Sequence, residues 1–508
     1  MTLSPSLPPR SGAGPEDRRT ADDASRPDRR RRLLVLAICC LSLFIVGLDA
    51  TVVNTALPAI QQDLHAPASG LQWIIDAYTL VLAALLMLSG SVADRIGRRR
   101  VFLTGLLVFV LGSLLCSVAP GLGWLIAFRA VQAVGGSMLN PVAMSIITNT
   151  FTDPRERAQA IGVWGGVVGL SMALGPLLGG FLVDTAGWPA IFLINVPIGL
   201  AAFALTVRYV PESRSPRPRR LDPVGQLLMV LLLGCGTAAI IEGPGNGWTS
   251  PLILTLAAVA LAALVALPLW ELRVREPLID PRFFASVPFT GATVTAVCAF
   301  AALGGFLFLN ALYLQNVRGY SAVEAGLWTL PMAVTMLVAA PVSGRIVGRR
   351  GPRLPLVCAG SALAASGLLL TRLAADSPPW LLISAYALFG LGFGLVNAPI
   401  TNSAVSGMPR AQAGVAAAVA STSRQVGQSL GVAVLGTVVV EAVVGPMATG
   451  FAGASRTGWW ILTGLGLAIL VLGFVTTTAR AVAGAAEVAA RLDPAREGVP
   501  GGAAERLR

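Results

Sequence analysis

The chemistry this sequence offers is concentrated in four ionisable residues set inside apolar stretches: Asp49, Asp76, Arg129 and Arg424. A charge in the hydrocarbon core of a membrane costs roughly 3 kcal/mol even on permissive scales, so each marks a functional position by default. A carboxyl group in a low-dielectric setting holds its proton more tightly than in water, and a guanidinium beside it opposes that tendency. An acid and an arginine together can therefore hold a proton in one conformation and release it in another. Arg129, Gln132 and Gly136 stand at i, i+3 and i+7, so arginine and amide share a helix face and can point into one cavity. Both acids fall toward the outer ends of their apolar stretches, and the alternative for each is a solvated interfacial position. Spacing alone does not decide whether Arg129 approaches Asp49.

Such residues need elements buried in lipid to position them. Of the 508 residues 55% are hydrophobic and only 12% charged, with mean hydropathy +0.74. Soluble domains carry about 25% charged residues, so cytosolic enzymes, disordered chains and secreted disulfide scaffolds are poor fits. Fourteen apolar blocks are long enough to cross the bilayer as helix: 33–57, 71–92, 101–119, 122–147, 159–183, 190–207, 224–242, 251–270, 290–313, 323–343, 354–373, 380–404, 413–440 and 458–478. The expected fold is an all-α polytopic membrane protein with 14 transmembrane helices.

Charge sets the orientation. There is no lysine, and with both termini in the cytoplasm 32 of the 37 arginines fall on the inner side. Only Arg318, Arg372 and Arg456 fall outside, a strong positive-inside pattern. The net charge of +12 is then an anchor to anionic headgroups, and no nucleic-acid partner is called for. The run Arg29 to Arg32 abuts the first block directly. Residues 1–32 and 479–508 read as disordered cytoplasmic tails, the first too unlike a cleavable signal to be one. The six cysteines (Cys39, Cys40, Cys116, Cys235, Cys298, Cys358) all fall in apolar blocks without metal spacing, as buried reduced thiols. No metal and no cofactor is implied, and the single histidine, His65, sits in an outer loop.

The blocks divide into an N-terminal six-helix bundle (33–210), a cytoplasmic linker (211–223), two inserted helices with a loop (224–287) and a C-terminal six-helix bundle (288–478). The loop Gly90-Ser-Val-Ala-Asp94-Arg-Ile-Gly97-Arg-Arg is partly repeated by Gly344-Arg-Ile-Val-Gly348-Arg-Arg-Gly351-Pro-Arg. Internal repeats of this kind build many transporters. In the fifth block Gly162, Gly166, Gly169, Ala173, Pro176 and Gly180 recur at helical spacing. They predict a closely packed, flexing helix interface.

These motifs resemble the fourteen-span drug:proton antiporters of the major facilitator superfamily along nearly all of 33–478. Leu48-Asp49-Ala-Thr51-Val-Val-Asn54-Thr-Ala-Leu57-Pro58 is similar to that branch's first-helix signature, and Gly90 to Arg100 to the superfamily's loop motif. Leu125 to Ser137, with Arg129 and Gln132, resembles the fourth-helix motif assigned to proton transfer. Gly169 to Gly180, with Gly175, Pro176 and Gly179, resembles the antiporter motif of exporters. Gly187-Trp188 running into Phe192-Leu-Ile-Asn195-Val-Pro197, Tyr313-Leu-Gln315 with Gly319-Tyr320-Ser321, and Ser423-Arg424-Gln425-Val-Gly427 are similar to motifs of the fourteen-span branch. The resemblance implies proton-coupling roles for Asp49, Asp76 and Arg129. It also implies a conformational latch at Gly90, Asp94, Arg95, Gly97 and Arg98, with Arg99 beside it, stabilising an outward-open state. Ala133, Pro189 and Gly348 depart from the pattern, Gly348 making any latch asymmetric. The thirteenth block holds no acid, which argues against broad dication export.

The expected activity is efflux of amphipathic drugs or antibiotics across a bacterial cytoplasmic membrane. It would work as a monomer by alternating access, driven by the proton gradient. Asn54, Trp73, Tyr78 and Gln132 are the expected cavity-lining residues, Trp73 having a membrane-interface anchor as its alternative. Glu242 reads as an interfacial acid rather than a cation site. The alternative function is an exporter dedicated to one metabolite, such as an endogenous antibiotic. A membrane enzyme would need a nucleophile–base or metal cluster, and none is visible.

Overall fold

A computed structural model describes residues 29–215, 221–274, 277–406, 408 and 412–491. Helices occupy most of them and no strand occurs among them. In chain order they are α1 (Arg29–Asp63), α2 (Ala68–Ile96), α3 (Arg98–Ser117), α4 (Leu122–Thr150), α5 (Pro154–Ala186), α6 (Ala190–Tyr209), α7 (Pro223–Asn246) and α8 (Pro251–Glu271). There follow α9 (Val287–Val317), α10 (Leu330–Arg350), α11 (Arg353–Leu370), α12 (Pro379–Val405), α13 (Ala413–Glu441), α14 (Met447–Val475) and α15 (Ala479–Arg491). A helix falls at each of the fourteen apolar blocks. By length and apolarity 12 of them can cross a membrane, and α5 makes a thirteenth if its two bent halves are one span. The chain is a multi-pass membrane protein. α13 is long enough, but its run Ser421-Thr-Ser-Arg424-Gln-Val-Gly-Gln428 is too polar to qualify by composition.

Local chemistry sets several boundaries. Asp222 caps α7 by accepting from the Gly225 N–H at 2.9 Å, with Pro223 in the first turn where its missing N–H costs nothing. Gly97, at φ +121°, makes the turn from α2 to α3, in a conformation an L side chain resists. α5 bends by 41° between Gln159–Met172 and Leu174–Ala186. Pro176 explains the bend, because it has no N–H to offer the Met172 carbonyl one turn back.

The packing repeats itself. α1 packs on α5, α2 on α4, and α3 on α4 and α6; α9 packs on α13, α10 on α12, and α11 on α12 and α14 in the same pattern. Within each group glycines let backbones touch: a Cβ on Gly112 would meet the Gln132 backbone nitrogen at 2.6 Å. The two groups meet along two seams, α2 against α13 and α5 against α10 with the short helix Ala322–Trp328 that precedes it. α7 and α8 pair with each other, and α7 lies on α2 and α13, beside the first seam.

Four expectations need correction. Residues 479–491 are not a disordered tail but the helix α15, whose Ala481 and Ala485 are buried; alanine-rich sequence with i, i+4 spacing favours helix once one face can dock. The last span starts at Met447, not 458, so Arg456 lies within α14. The tenth block is broken at Thr329, after which α10 starts afresh at Leu330 with Pro331 in its first turn. Cys358 is exposed on α11 rather than buried. Residues 1–28, the middle of the charged linker (216–220), Arg410 and 492–508, for which tail and loop roles were expected, lie outside the described residues.

Candidate functional site

Five helices of the first bundle, α1, α2, α3, α4 and α6, meet around Asp49, near the middle of α1. Its carboxylate accepts from Arg129 Nη1 at 2.5 Å and Gln132 Nε2 at 2.8 Å, both on α4, and from Asn195 Nδ2 at 3.0 Å on α6. Three donors on one carboxylate match its acceptor-only inventory when ionised. Gln132 holds its own place by donating to Ser113 Oγ on α3 at 2.8 Å and accepting from Arg129 Nη1 at 2.6 Å. Arg129 also donates from Nε to the Ile74 carbonyl at 3.1 Å, and its guanidinium lies 4.2 Å from the Tyr78 ring centroid. Asp49 is 0% and Arg129 1% exposed. Asp49 is therefore not solvated, and Arg129 does approach it.

Asn195 was not a candidate from residue types and spacing; it appeared only inside the Phe192–Pro197 motif. Its placement follows from the segment before it. Gly187, at φ +79°, turns the chain, and Trp188 Nε1 donates to Asp63 Oδ2 at 2.7 Å, fastening α6 to the end of α1. That fixes the rotation of α6 and aims Asn195 at Asp49.

Asp76 is also 0% exposed, so it too is not solvated. It does not join the Asp49 cluster's hydrogen bonds. One oxygen, Oδ1, accepts from Thr79 Oγ1 at 3.2 Å, while Oδ2 is buried without a hydrogen-bond partner among the described residues. Ser429 of α13 lies beside it, its hydroxyl turned toward the Asp76 carboxyl across the seam. Asp76 therefore sits in the α2–α13 seam between the bundles. An uncharged, protonated carboxyl could donate across that seam to Ser429.

Between the bundles lies a cavity of about 680 Å³. Its walls include Tyr78, Trp164 and Met172 from the first bundle, and Phe300, Met336, Phe393, Asn397, Arg424 and Gln428 from the second. It extends to Asp94, Asp222 and Leu278 at the arginine-rich end. At the opposite end the bundles touch. Gln315 Nε2 donates to the Thr55 carbonyl at 2.8 Å, and the Asp184 carboxylate accepts the backbone N–H groups of Ala322 at 3.2 Å and Val323 at 2.9 Å. Tyr78, 1% exposed, separates the cavity from Arg129.

Of the four expected lining residues only Tyr78 lines this cavity. Gln132 is fully buried in the Asp49 cluster. Asn54 faces a small gap of about 20 Å³ near the closed end, with Pro176, Asn310 and Gln315. Trp73 is a tie between helices: its Nε1 donates to Glu242 Oε1 on α7 at 2.7 Å, and Glu242 Oε2 also accepts from Asn246. A helix face read from sequence does not say which neighbour it meets, and these three face the wrong ones for lining.

Across the turn from α2 to α3, Asp94 pairs with Arg98 (Oδ1 to Nη2, 2.8 Å), and its backbone carbonyl accepts the Ser215 N–H at 3.1 Å. Glu212 accepts the Arg99 N–H at 3.1 Å, and a Cβ on Gly97 would meet its carboxylate at 2.6 Å. Gly90 faces Pro141 across the cavity wall. The α5 motif divides in two. A Cβ on Gly175 would overlap the Thr51 hydroxyl, one on Gly179 would meet Val52 Cγ2 at 2.7 Å, and one on Gly180 would strike the Ala322 carbonyl. Pro176 presents its carbonyl to Gly326. Gly162, Gly166 and Gly169 meet nothing within 4 Å, and Gly169 lines the cavity, so of the series' glycines only those in the second half of α5 make close contacts.

Comparison with known proteins places this geometry. The Major Facilitator Superfamily profile matches residues 39–432. The chain is 38% identical over 413 residues to the multidrug resistance protein Stp of Mycobacterium tuberculosis, covering 81% of this chain and 76% of Stp. It is 39% identical over 417 residues to the tetracenomycin C resistance and export protein of Streptomyces glaucescens, covering 82% of this chain and 77% of that one. Among solved structures, a bacterial homologue of the human drug peptide transporters PepT1 and PepT2 aligns with a TM-score of 0.61 at 17% identity, over 91% of this chain and all of that one, a likeness of fold.

Proposed function

This chain belongs to the Major Facilitator Superfamily, and from that premise we propose that it exports amphipathic drugs or antibiotics in exchange for protons, by alternating access across a bacterial cytoplasmic membrane. The observation that carries the reading is the buried Asp49–Arg129 pair standing behind Tyr78, at the wall of a cavity between two bundles. All fourteen helices α1–α14 span the membrane in this reading, with both termini in the cytoplasm, since the arginine-rich loops all lie at the termini's end. The cavity then faces the cytoplasm, where a drug would enter. The bundles 33–210 and 288–478 rock about it as a functional monomer. The linker 211–223 and the inserted helices 224–287 bridge them. The proton gradient is the only driving force needed, with no metal or cofactor. The names of the relatives, a multidrug resistance protein and an antibiotic export protein, support the direction of transport.

The coupling follows from the two acids. A proton on Asp49 removes the charge that holds Arg129 and the amides of Gln132 and Asn195, loosening α1 from α4 and α6. A proton on Asp76 supplies a donor to Ser429 and favours a closed α2–α13 seam. Each acid thus ties protonation to helix packing, which is what an exchanger requires. Asp94 and Arg98, joined to each other in this state, act as the latch when the arginine-rich end closes.

Everted vesicles with an imposed pH gradient test the proposal. Addition of a transported compound should release protons from wild-type vesicles, and Asp49→Asn should abolish that release. Undiminished substrate-induced release from Asp49→Asn would remove this acid from coupling. A second reading, export of a single compound, is favoured by the relative named for tetracenomycin C alone. Expression in a drug-sensitive host separates the two: protection against several unrelated compounds supports the broad exporter, and protection against one or none the dedicated one.

A further inference from the structure

We infer that Arg424 makes the central cavity a site for anionic amphipaths, with an apolar body held between the bundles and an acidic oxygen group seated on its guanidinium. The inference rests on the efflux reading and names the class of substrate it serves.

Arg424 lines the cavity from α13. Its Nη2 donates to Thr401 Oγ1 at 2.6 Å, and its carbon Cζ lies 6.0 Å from the Phe300 ring centroid. Its Nε is buried with no partner, and no acid stands within ion-pair distance of it among the described residues. A guanidinium offers five donors in a planar fork, and leaving a buried one unmet is costly. The contrast with Arg129 is informative. That arginine, fully buried in its own bundle where Arg424 is half-buried on the cavity wall, is matched by a carboxylate, an amide and a carbonyl. Were Arg424 only a tie from α13 to α12, one hydrogen bond to Thr401 would need no charge, and a glutamine would do.

The other charges on the cavity are already matched. Asp94 is held by Arg98, and Asp222 caps α7 while accepting from Trp270 Nε1 at 3.0 Å. Both stand at the arginine-rich end rather than deep between the bundles. The deep cavity therefore carries an unmatched positive charge among aromatic and thioether side chains, Phe300, Phe393 and Met336. A carboxylate, phenolate or enolate on a flat apolar skeleton meets both halves of that surface. A cation of the same shape meets a repulsive centre, and an interface discriminates as much by such repulsion as by attraction.

The test uses the full-length protein in lipid nanodiscs with three probes sharing one body: 1-pyrenebutyrate, its neutral methyl ester, and a pyrenebutyl-trimethylammonium cation. Wild type should bind the anion at least about tenfold more tightly than the cation, the scale of one charge-assisted hydrogen bond. Arg424→Gln should lose about tenfold in affinity for the anion while keeping the ester within about twofold, which also shows that the variant is folded. Arg424→Lys should recover part of the loss. Equal or tighter binding of the cation by wild type overturns the inference, as does a loss of anion and ester affinity to the same degree in a folded Arg424→Gln protein. If that variant does not fold, the wild-type comparison and Arg424→Lys decide. Transport of the ester into energised everted vesicles reports on the efflux reading separately. Ester transport without anion preference refutes the present inference alone, whereas anion preference without transport of any probe supports it and refutes export.

Discussion

Removing the Asp49 carboxylate is the sharpest perturbation of this protein. Asp49→Ala takes away the acceptor of three hydrogen bonds and leaves the Arg129 guanidinium, 1% exposed, without its anion. Breaking a buried ion pair from one side costs about 3–5 kcal/mol. Part of that is retained here. Arg129 keeps its bonds to the Ile74 carbonyl and to Gln132, and the Tyr78 ring at 4.2 Å offers a cation–π contact worth up to about 2 kcal/mol when desolvated. The expected loss is therefore at the lower end, about 3 kcal/mol. Replacing both partners, Asp49→Ala with Arg129→Met, removes the stranded charge along with the pair and should recover most of it. Equilibrium unfolding in mixed detergent–SDS micelles measures both proteins and the single Arg129→Met variant. If the double variant is as unstable as the sum of its parts, with coupling under about 0.5 kcal/mol, the two side chains do not act as a buried pair. Neither variant should show substrate-induced proton release, whatever its stability.

The other predictions follow from the seams. Gly175→Ala should lower the folded yield and stability by about 1–3 kcal/mol, the range for overpacking, because its methyl would occupy the place of the Thr51 hydroxyl; Gly169→Ala, open to the cavity, should be neutral in the same thermal-unfolding assay. Asp184→Ala removes both acceptors of the Ala322 and Val323 N–H groups and should shift the population toward opening of that end. Electron–electron distances between spin labels on α5 and the Ala322–Trp328 helix should lengthen, and an unchanged distribution would deny Asp184 its part in closure. Trp73→Phe should cost about 1 kcal/mol through the lost bond to Glu242 while leaving the spectrum of exported compounds intact. A changed spectrum would restore Trp73 to the cavity wall.

Much of this molecule was legible before any coordinates. Every apolar block but the tenth, which breaks in two at Thr329, corresponds to one helix, since some twenty apolar residues without charge have few other ways to satisfy their backbone in lipid. The distribution of arginines separates the two ends, and the rarity of charge within apolar blocks isolated Asp49, Asp76, Arg129 and Arg424. The i, i+3 relation of Arg129 and Gln132 correctly put them in one cluster. Other parts were misread for identifiable reasons. Asn54 and Trp73 share helices with true site residues, yet each points to a different neighbour. The glycines of α5 form one periodic series in sequence, but the bend before Pro176 sends the first three and the last ones to different surroundings. The alanine-rich segment 479–491 carries enough charge to resemble a solvated tail and still docks one face.

What the sequence determined alone was therefore the list of elements, their medium, the two ends of the bundle and the short roll of charges that need a partner. Only the tertiary structure decided the partners: that Asp49 meets Arg129 and Asn195, 80 and 146 residues away, that Asp76 belongs to the seam between bundles, and that Arg424 faces the cavity with no acid paired to it among the described residues. The physical reason lies in the solvent. In water a helix shows which side is inward by its apolar stripe, but in a bilayer the outer side is as apolar as the inner one. Rotation about each helix axis is left to close packing at small residues and to a few polar contacts, and these exist only when the helices have met.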